Sequence, residues 1–226
     1  MWVVNLLGVP SDLERLPSLF QTARLRIKKR PYGFTLTSSR LRGLNRDVAT
    51  EAARRLVTSV NAFTRLIFPN HKPITVGSIR DTKGGVVGVL LVKVRARIDP
   101  IDHDVTQTGP PSWLSLKLQQ FADTDPMVQR AFLILQSVEI GWDELYKLHE
   151  LILSDGAGML LRELGYTRTQ LKRFTQTANS YSALGVDARH AHDRVPSPPA
   201  PLPLKEAKVF ILRWCRAWIQ HRAESR

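Results

Sequence analysis

The sequence predicts an α+β protein, with an N-terminal antiparallel sheet carrying one long helix, followed by a C-terminal all-helical bundle. Strand-type alternation and turn residues dominate residues 1–100, whereas residues 112–226 lose that alternation and show helical periods with start and stop signals. Between them lies a polar, proline-bearing connector, DPIDHDVTQTGPP at 99–111. With 226 residues, 43% of them apolar, the chain is long enough to bury a sizeable core as one large domain or two small ones.

The segment WVVNLLG at 2–8 reads as a short strand. In SDLERLPSLF, Ser11 with Glu14 three residues later forms a capping-box pattern for a short helix, whose regularity Pro17 limits. TARLRIKKRPYGFTLT reads as two strands meeting at Pro31-Tyr32-Gly33. From Asn45 to Phe68, apolar Val48, Ala52, Leu56, Val60 and Phe63 recur at helical period, which predicts one long amphipathic helix. ITVGSIRDTKGGVVGVLLVKVRARI reads as a hairpin closed across Asp81 to Gly85.

In the second half, helices are expected at 112–122, 126–137, 142–153, 158–164, 168–178 and 204–221. Asp125-Pro126, Gly165 and the Thr167/Gln170 pair supply their boundaries. PSPPAPLP, at 196–203, has the proline spacing of an extended, polyproline-like strap. The helix after it carries Ala207, Phe210, Ile211, Trp214, Trp218 and Ile219, apolar almost all round and therefore expected to be buried. No internal repeat is evident.

The residue inventory narrows the chemistry. A single cysteine, Cys215, excludes an internal disulfide framework and any multi-cysteine metal site, as expected in a reducing compartment. The N-terminus lacks the pattern of a signal peptide, and the longest aliphatic run, VVGVLLV at 86–92, is too short to span a bilayer. A cytoplasmic protein of bacterial type, with no membrane partner, is the expectation. The G-x-x-x-x-G-K loop, the nucleophile elbow, the dinucleotide fingerprint and H-E-x-x-H are all missing, so no common cofactor is expected.

Charge gives the strongest functional signal. The formal net charge is +13, and residues 1–110 hold 18 Lys and Arg against 8 Asp and Glu, while residues 111–226 hold 15 against 12. A positive field concentrated in one half attracts polyanions, so RNA or DNA is the expected partner. An acidic protein docking the same surface is the alternative.

Two segments give this charge a geometry. In RLRIK, Arg24, Arg26 and Lys28 alternate with Leu25 and Ile27, and in VKVRARI, Lys93, Arg95 and Arg97 alternate with apolar residues. Side chains two apart on a strand share a face, so each segment would present a cationic row with charges roughly 6.6 Å apart. An ordinary solvated face usually mixes signs, because like charges opposed across strands repel. Tyr32 and Phe34, close by, are candidates for stacking on an unpaired base.

The segment GMLLRELGYTRTQLKRF, at 158–174, resembles the helix-turn-helix family in the spacing of Leu161, Gly165 and Leu171. That resemblance implies DNA reading by Arg168, Thr169, Gln170, Lys172 and Arg173. In EIGWDELYKLHELI, the spacing places Trp142, Leu145, His149 and Ile152 on one inward stripe, with Glu139, Asp143 and Lys147 opposite on a solvated face.

The densest polar cluster is DARHAHDRVPSPPAPLPLKEA, at 187–207. His190 and His192 with Asp187 or Asp193 fall short of the four ligands of a closed zinc site, so no metal is expected. A structural reading ends a helix at Asn179 or Ser180, turns the chain at Gly185, and lets Arg189 meet helix carbonyls or a carboxylate such as Glu150 or Asp155.

The Arg-His pair at the entrance to a terminal helix also resembles the HEPN family of helical-bundle ribonucleases. That resemblance implies metal-independent RNA cleavage by Arg189, His190 and His192, in a toxin or phage-defence setting, commonly across a dimer. The family separates its arginine and histidine by four to six residues, whereas Arg189 and His192 have two between them. The longer stretch from FTQTANSYSALG through the ARH cluster and proline strap to LKEAKVFILRWCRAWI resembles a group of uncharacterised bacterial proteins of similar length. That likeness implies a defined domain and no particular activity.

Overall fold

The computed structural model describes residues 1–22, 24–82, 84–89, 124–192 and 195–225. They form an α+β chain with two compact units, one drawn from the described residues of 1–64 and 71–120, the other from those of 65–70 and 121–226.

The first unit runs β1 (Trp2–Leu7), α1 (Pro10–Leu19), β2 (Leu25–Arg30), β3 (Gly33–Ser38), a 3-10 turn (Ser39–Leu41), α2 (Arg46–Ile67, whose final turn groups with the second unit), β4 (Thr75–Asp81) and β5 (Gly84–Val89). The sheet order is β2-β3-β1-β4-β5, and every neighbouring pair is antiparallel. It follows that β1 is parallel to β2 and β3 to β4, each pair joined through a helix. The first four strands thus make a split βαβ arrangement, with β5 added as a hairpin partner of β4.

Period-two alternation sets the register. Ile27 pairs with Leu36, Leu36 with Val4 and Val4 with Ile79, a row across four strands in which all four side chains are buried. On that face α1 contributes Leu13, Leu16 and Leu19, and Phe20 meets Phe63 of α2 edge to face at 5.5 Å. Asn61 of α2 exchanges two hydrogen bonds of 2.8 Å with the backbone of Ile74, fixing the entry to β4. Buried Asp12 accepts from His71 Nδ1 and the Lys72 backbone amide, each at 3.2 Å, so α1 is tied to the same approach.

Two local expectations are corrected. α1 begins at Pro10 with Val9 as N-cap and no side-chain cap, so Ser11 lies inside the helix; proline at the first position already removes one donor that needs capping. The buried stripe of α2 begins at Ala49 and Ala53, one residue beyond Val48 and Ala52, and Val48 is half exposed. Asn45 accepts from the Val48 backbone amide and starts the helix there, which turns Val48 toward solvent.

The second unit contains α3 (Pro126–Leu135), α4 (Trp142–Ser154), a 3-10 turn (Ala157–Met159), α5 (Leu160–Glu163), α6 (Arg168–Asn179), α7 (Tyr181–Leu184), a 3-10 turn (Gly185–Asp187) and α8 (Leu204–Glu224). α8 packs on α4 and is buried through Ala207, Phe210, Ile211, Trp214, Trp218 and Ile219, as the apolar pattern requires. Both α8 tryptophans satisfy their indole N–H groups: Trp214 donates to the Ala157 carbonyl and Trp218 to Asp155 Oδ2. Asp125 N-caps α3 through Oδ1, and Thr167 with Gln170 closes a capping box on α6. Gly165, at φ 78°, ends α5 with Gly165 N–H bonding Arg162 and Tyr166 N–H bonding Leu161, the six-to-one pair of a Schellman turn. The helix predicted at 112–122 lies outside the described residues. No helix of the described residues is long and apolar enough to cross a membrane.

Candidate functional site

Along Arg24 and the start of β2, buried Leu25 and Ile27 leave Arg24, Arg26 and Lys28 on the alternate positions, and all three are exposed. Lys29, one residue out of phase, pairs with Glu14 at 2.6 Å. The charged groups of Arg24, Arg26, Lys28 and Arg30 meet no carboxylate among the described residues. β2 is an edge strand, and its outer backbone is partly occupied: Ile27 N–H bonds the Phe20 carbonyl and Thr22 N–H bonds that of Leu25.

The row continues across the face of the sheet opposite α1 and α2. Lys28 lies opposite Thr35, Thr35 opposite Asn5 and Asn5 opposite Ser78, whose hydroxyl accepts from the Asn5 amide at 2.5 Å. Arg26 lies opposite Thr37, and on the far side exposed Arg80 lies opposite Val3. Three strand spacings separate β2 from β4, so the face carries cations on both flanks roughly 14 Å apart with hydroxyl and amide groups between. Sequence reading missed Arg80, although Ser78-Ile79-Arg80 shows the same alternation. Lys93, Arg95 and Arg97, the second predicted row, lie outside the described residues.

The two aromatic candidates separate. Phe34 is 8% exposed and belongs to the core, because its place in β3 is in phase with Leu36. Tyr32 is fully exposed at the tip of the β2–β3 hairpin.

In the second unit, the backbone amide of Arg189 bonds the Ala178 carbonyl near the end of α6. Its guanidinium stacks over the Tyr146 ring at 4.3 Å and pairs with Glu150 at 3.0 Å. Of the carboxylates considered from sequence, Glu150 is the one it meets. His190 and His192 are exposed, with ring centroids 6.0 Å apart. Among the described residues no group of three or more His, Cys, Asp or Glu stands together as a metal site would need.

His149 is buried on the stripe with Trp142, Leu145 and Ile152, against Tyr146, Phe174 and Trp214. Burial lowers its pKa below the ordinary histidine value, and the neutral ring is the form held there. Cys215 is buried with its thiol pushed far up by the same cause, which leaves it unreactive.

The helix-turn-helix segment differs from its expected geometry. Its leading helix is a single α-turn, Leu160–Glu163, after a 3-10 turn, and Arg173 is committed to the chain itself, donating to the Ala200 and Pro201 carbonyls at 2.6 and 3.2 Å. Together with Thr177 Oγ1, which accepts from Leu202 N–H, Arg173 binds the proline strap to α6. Arg168, Thr169, Gln170 and Lys172 remain exposed.

No protein family, no curated protein and no solved structure matches the chain.

Proposed function

We propose that the protein binds nucleic acid through the basic face of its N-terminal sheet, with Arg24, Arg26 and Lys28 contacting phosphates and Arg80 flanking them. One observation carries this reading: Arg24, just before β2, and Arg26 and Lys28 within it are cationic, exposed, on alternate positions and without a carboxylate partner among the described residues. A surface whose only task is solubility carries both signs, and its cations find acids as Lys29 finds Glu14. Unpaired cations repel one another until a polyanion neutralises them, and releasing the polyanion's counterions then drives association. The part-exposed Asn5, Thr37 and Ser78 groups between the flanks suit additional contacts to phosphate and sugar oxygens.

The test is salt-dependent binding by the full chain and by an R24E/R26E/K28E variant. The wild type should bind with an affinity that falls steeply as salt rises. The variant should bind more weakly, with the slope of log K against log salt reduced by about 2 to 3. Retention on heparin without binding of RNA or DNA at moderate salt would point instead to an acidic protein partner.

A further inference from the structure

The hairpin that carries the basic row ends in a feature that selects among nucleic acids. β2 and β3 pair through Arg30 and Gly33, leaving only Pro31 and Tyr32 to close the turn. Pro31 fixes its own φ, and Gly33, at φ 134°, takes the one conformation of the turn closed to other residues. Tyr32 is therefore held on a short, rigid tip, and it is exposed over its whole surface. Its neighbours on β2 are Lys28, Lys29 and Arg30, all exposed.

Scattered apolar residues on a surface need no explanation by themselves. Tyr32 differs in being a full aromatic ring, borne on a two-residue turn and fully exposed, at the end of a line of cations spaced for an extended backbone. On the sheet face itself, the described positions of the central strands β1 and β3 carry Val3, Asn5, Thr35 and Thr37, which offer no ring for a base.

We infer that Tyr32 stacks on an unpaired base and makes this surface a reader of single-stranded nucleic acid, the strand's phosphates lying along Lys28, Arg26 and Arg24. The inference rests on the proposed nucleic-acid reading. A duplex keeps its bases stacked inside and gives Tyr32 nothing to cover, while a single strand can lay a base on the ring.

The experiment compares the full-length wild type, Tyr32→Ala, Tyr32→Trp and the R24E/R26E/K28E variant by fluorescence anisotropy. The probes are a labelled oligo-thymidylate and its duplex with oligo-adenylate. Tyr32→Ala should weaken single-strand binding by about tenfold or more and leave duplex binding unchanged, and Tyr32→Trp should restore it. Equal weakening on both probes would overturn the inference, since the ring would then act without an unpaired base. Unchanged single-strand binding by Tyr32→Ala, beside weakened binding by the charge-reversal variant, would overturn it while leaving the basic row in place. Absence of binding to either probe by the wild type would overturn both readings.

Discussion

Arg222 reaches back 97 residues to Asp125, its Nη2 at 2.7 Å and its Nε at 3.0 Å from Oδ2, while Asp125 Oδ1 caps the first turn of α3. The same guanidinium meets Asp155, which also accepts from Trp218. One arginine near the end of α8 thus closes the helical unit by satisfying two carboxylates, one of them with no exposure.

Replacing Arg222 with alanine should cost about 3 kcal/mol or more, because buried Asp125 would lose the cation that meets its Oδ2. Asp125→Asn should cost less, since asparagine is an equally good N-cap and keeps the bonds to Met127 and Val128. Urea denaturation followed by tryptophan fluorescence measures both, and equal losses in the two variants would contradict the charge argument.

The acid response should come in two stages. Burial alone would raise the Asp125 and Asp155 carboxyls, but hydrogen bonds from Arg222, with backbone amides at Asp125 and Trp218 at Asp155, outweigh it and hold both below the ordinary 3.8. Their contribution is present above pH 3.8 and is lost as pH falls through the lower folded values. His149 acts earlier: burial lowers it from 6.5, so the unfolded chain takes the proton first and stability falls as pH drops below 6.5. Melting temperature against pH should therefore decline first below 6.5 and again below 3.8, and His149→Phe should remove only the first step.

Arg189→Ala should lower stability by about 1 kcal/mol, the scale of one part-exposed ion pair with one stacking contact, through loss of Glu150 and Tyr146. Incubation of the wild type with labelled RNA should show no cleavage. Metal-independent cleavage abolished by Arg189→Ala at unchanged melting temperature would instead establish the ribonuclease chemistry that the HEPN resemblance implies.

Arg173→Ala should loosen the proline strap, since both bonds to Ala200 and Pro201 come from its guanidinium and only the Thr177 bond to Leu202 N–H would remain of the three. Limited proteolysis should then cut within 195–203 faster than in the wild type, with α6 itself little affected.

The sequence made the architecture legible wherever a local period coincided with burial. Leu25 and Ile27 alternating with Arg24, Arg26 and Lys28 predicted the exposed row, and Trp142, Leu145, His149 and Ile152 predicted the buried stripe of α4. What escaped was decided by partners distant in sequence. Phe34 belongs to the core because its pairing with Lys29 fixes its phase, and Arg173 is occupied because a strap 27 residues away crosses it. Sheet order was equally hidden, since nothing in β1 announces that β3 and β4 will flank it.

Among the described residues, the Phe20–Thr22 segment covers the outer backbone of β2 only as far as Ile27, so Lys28 to Arg30 border an edge that no described strand pairs. Charges placed there repel a second copy that would otherwise add itself as a sixth strand. Variants neutralised at this border should therefore self-associate, and the size of the particle in solution becomes a necessary control for every binding measurement made with them.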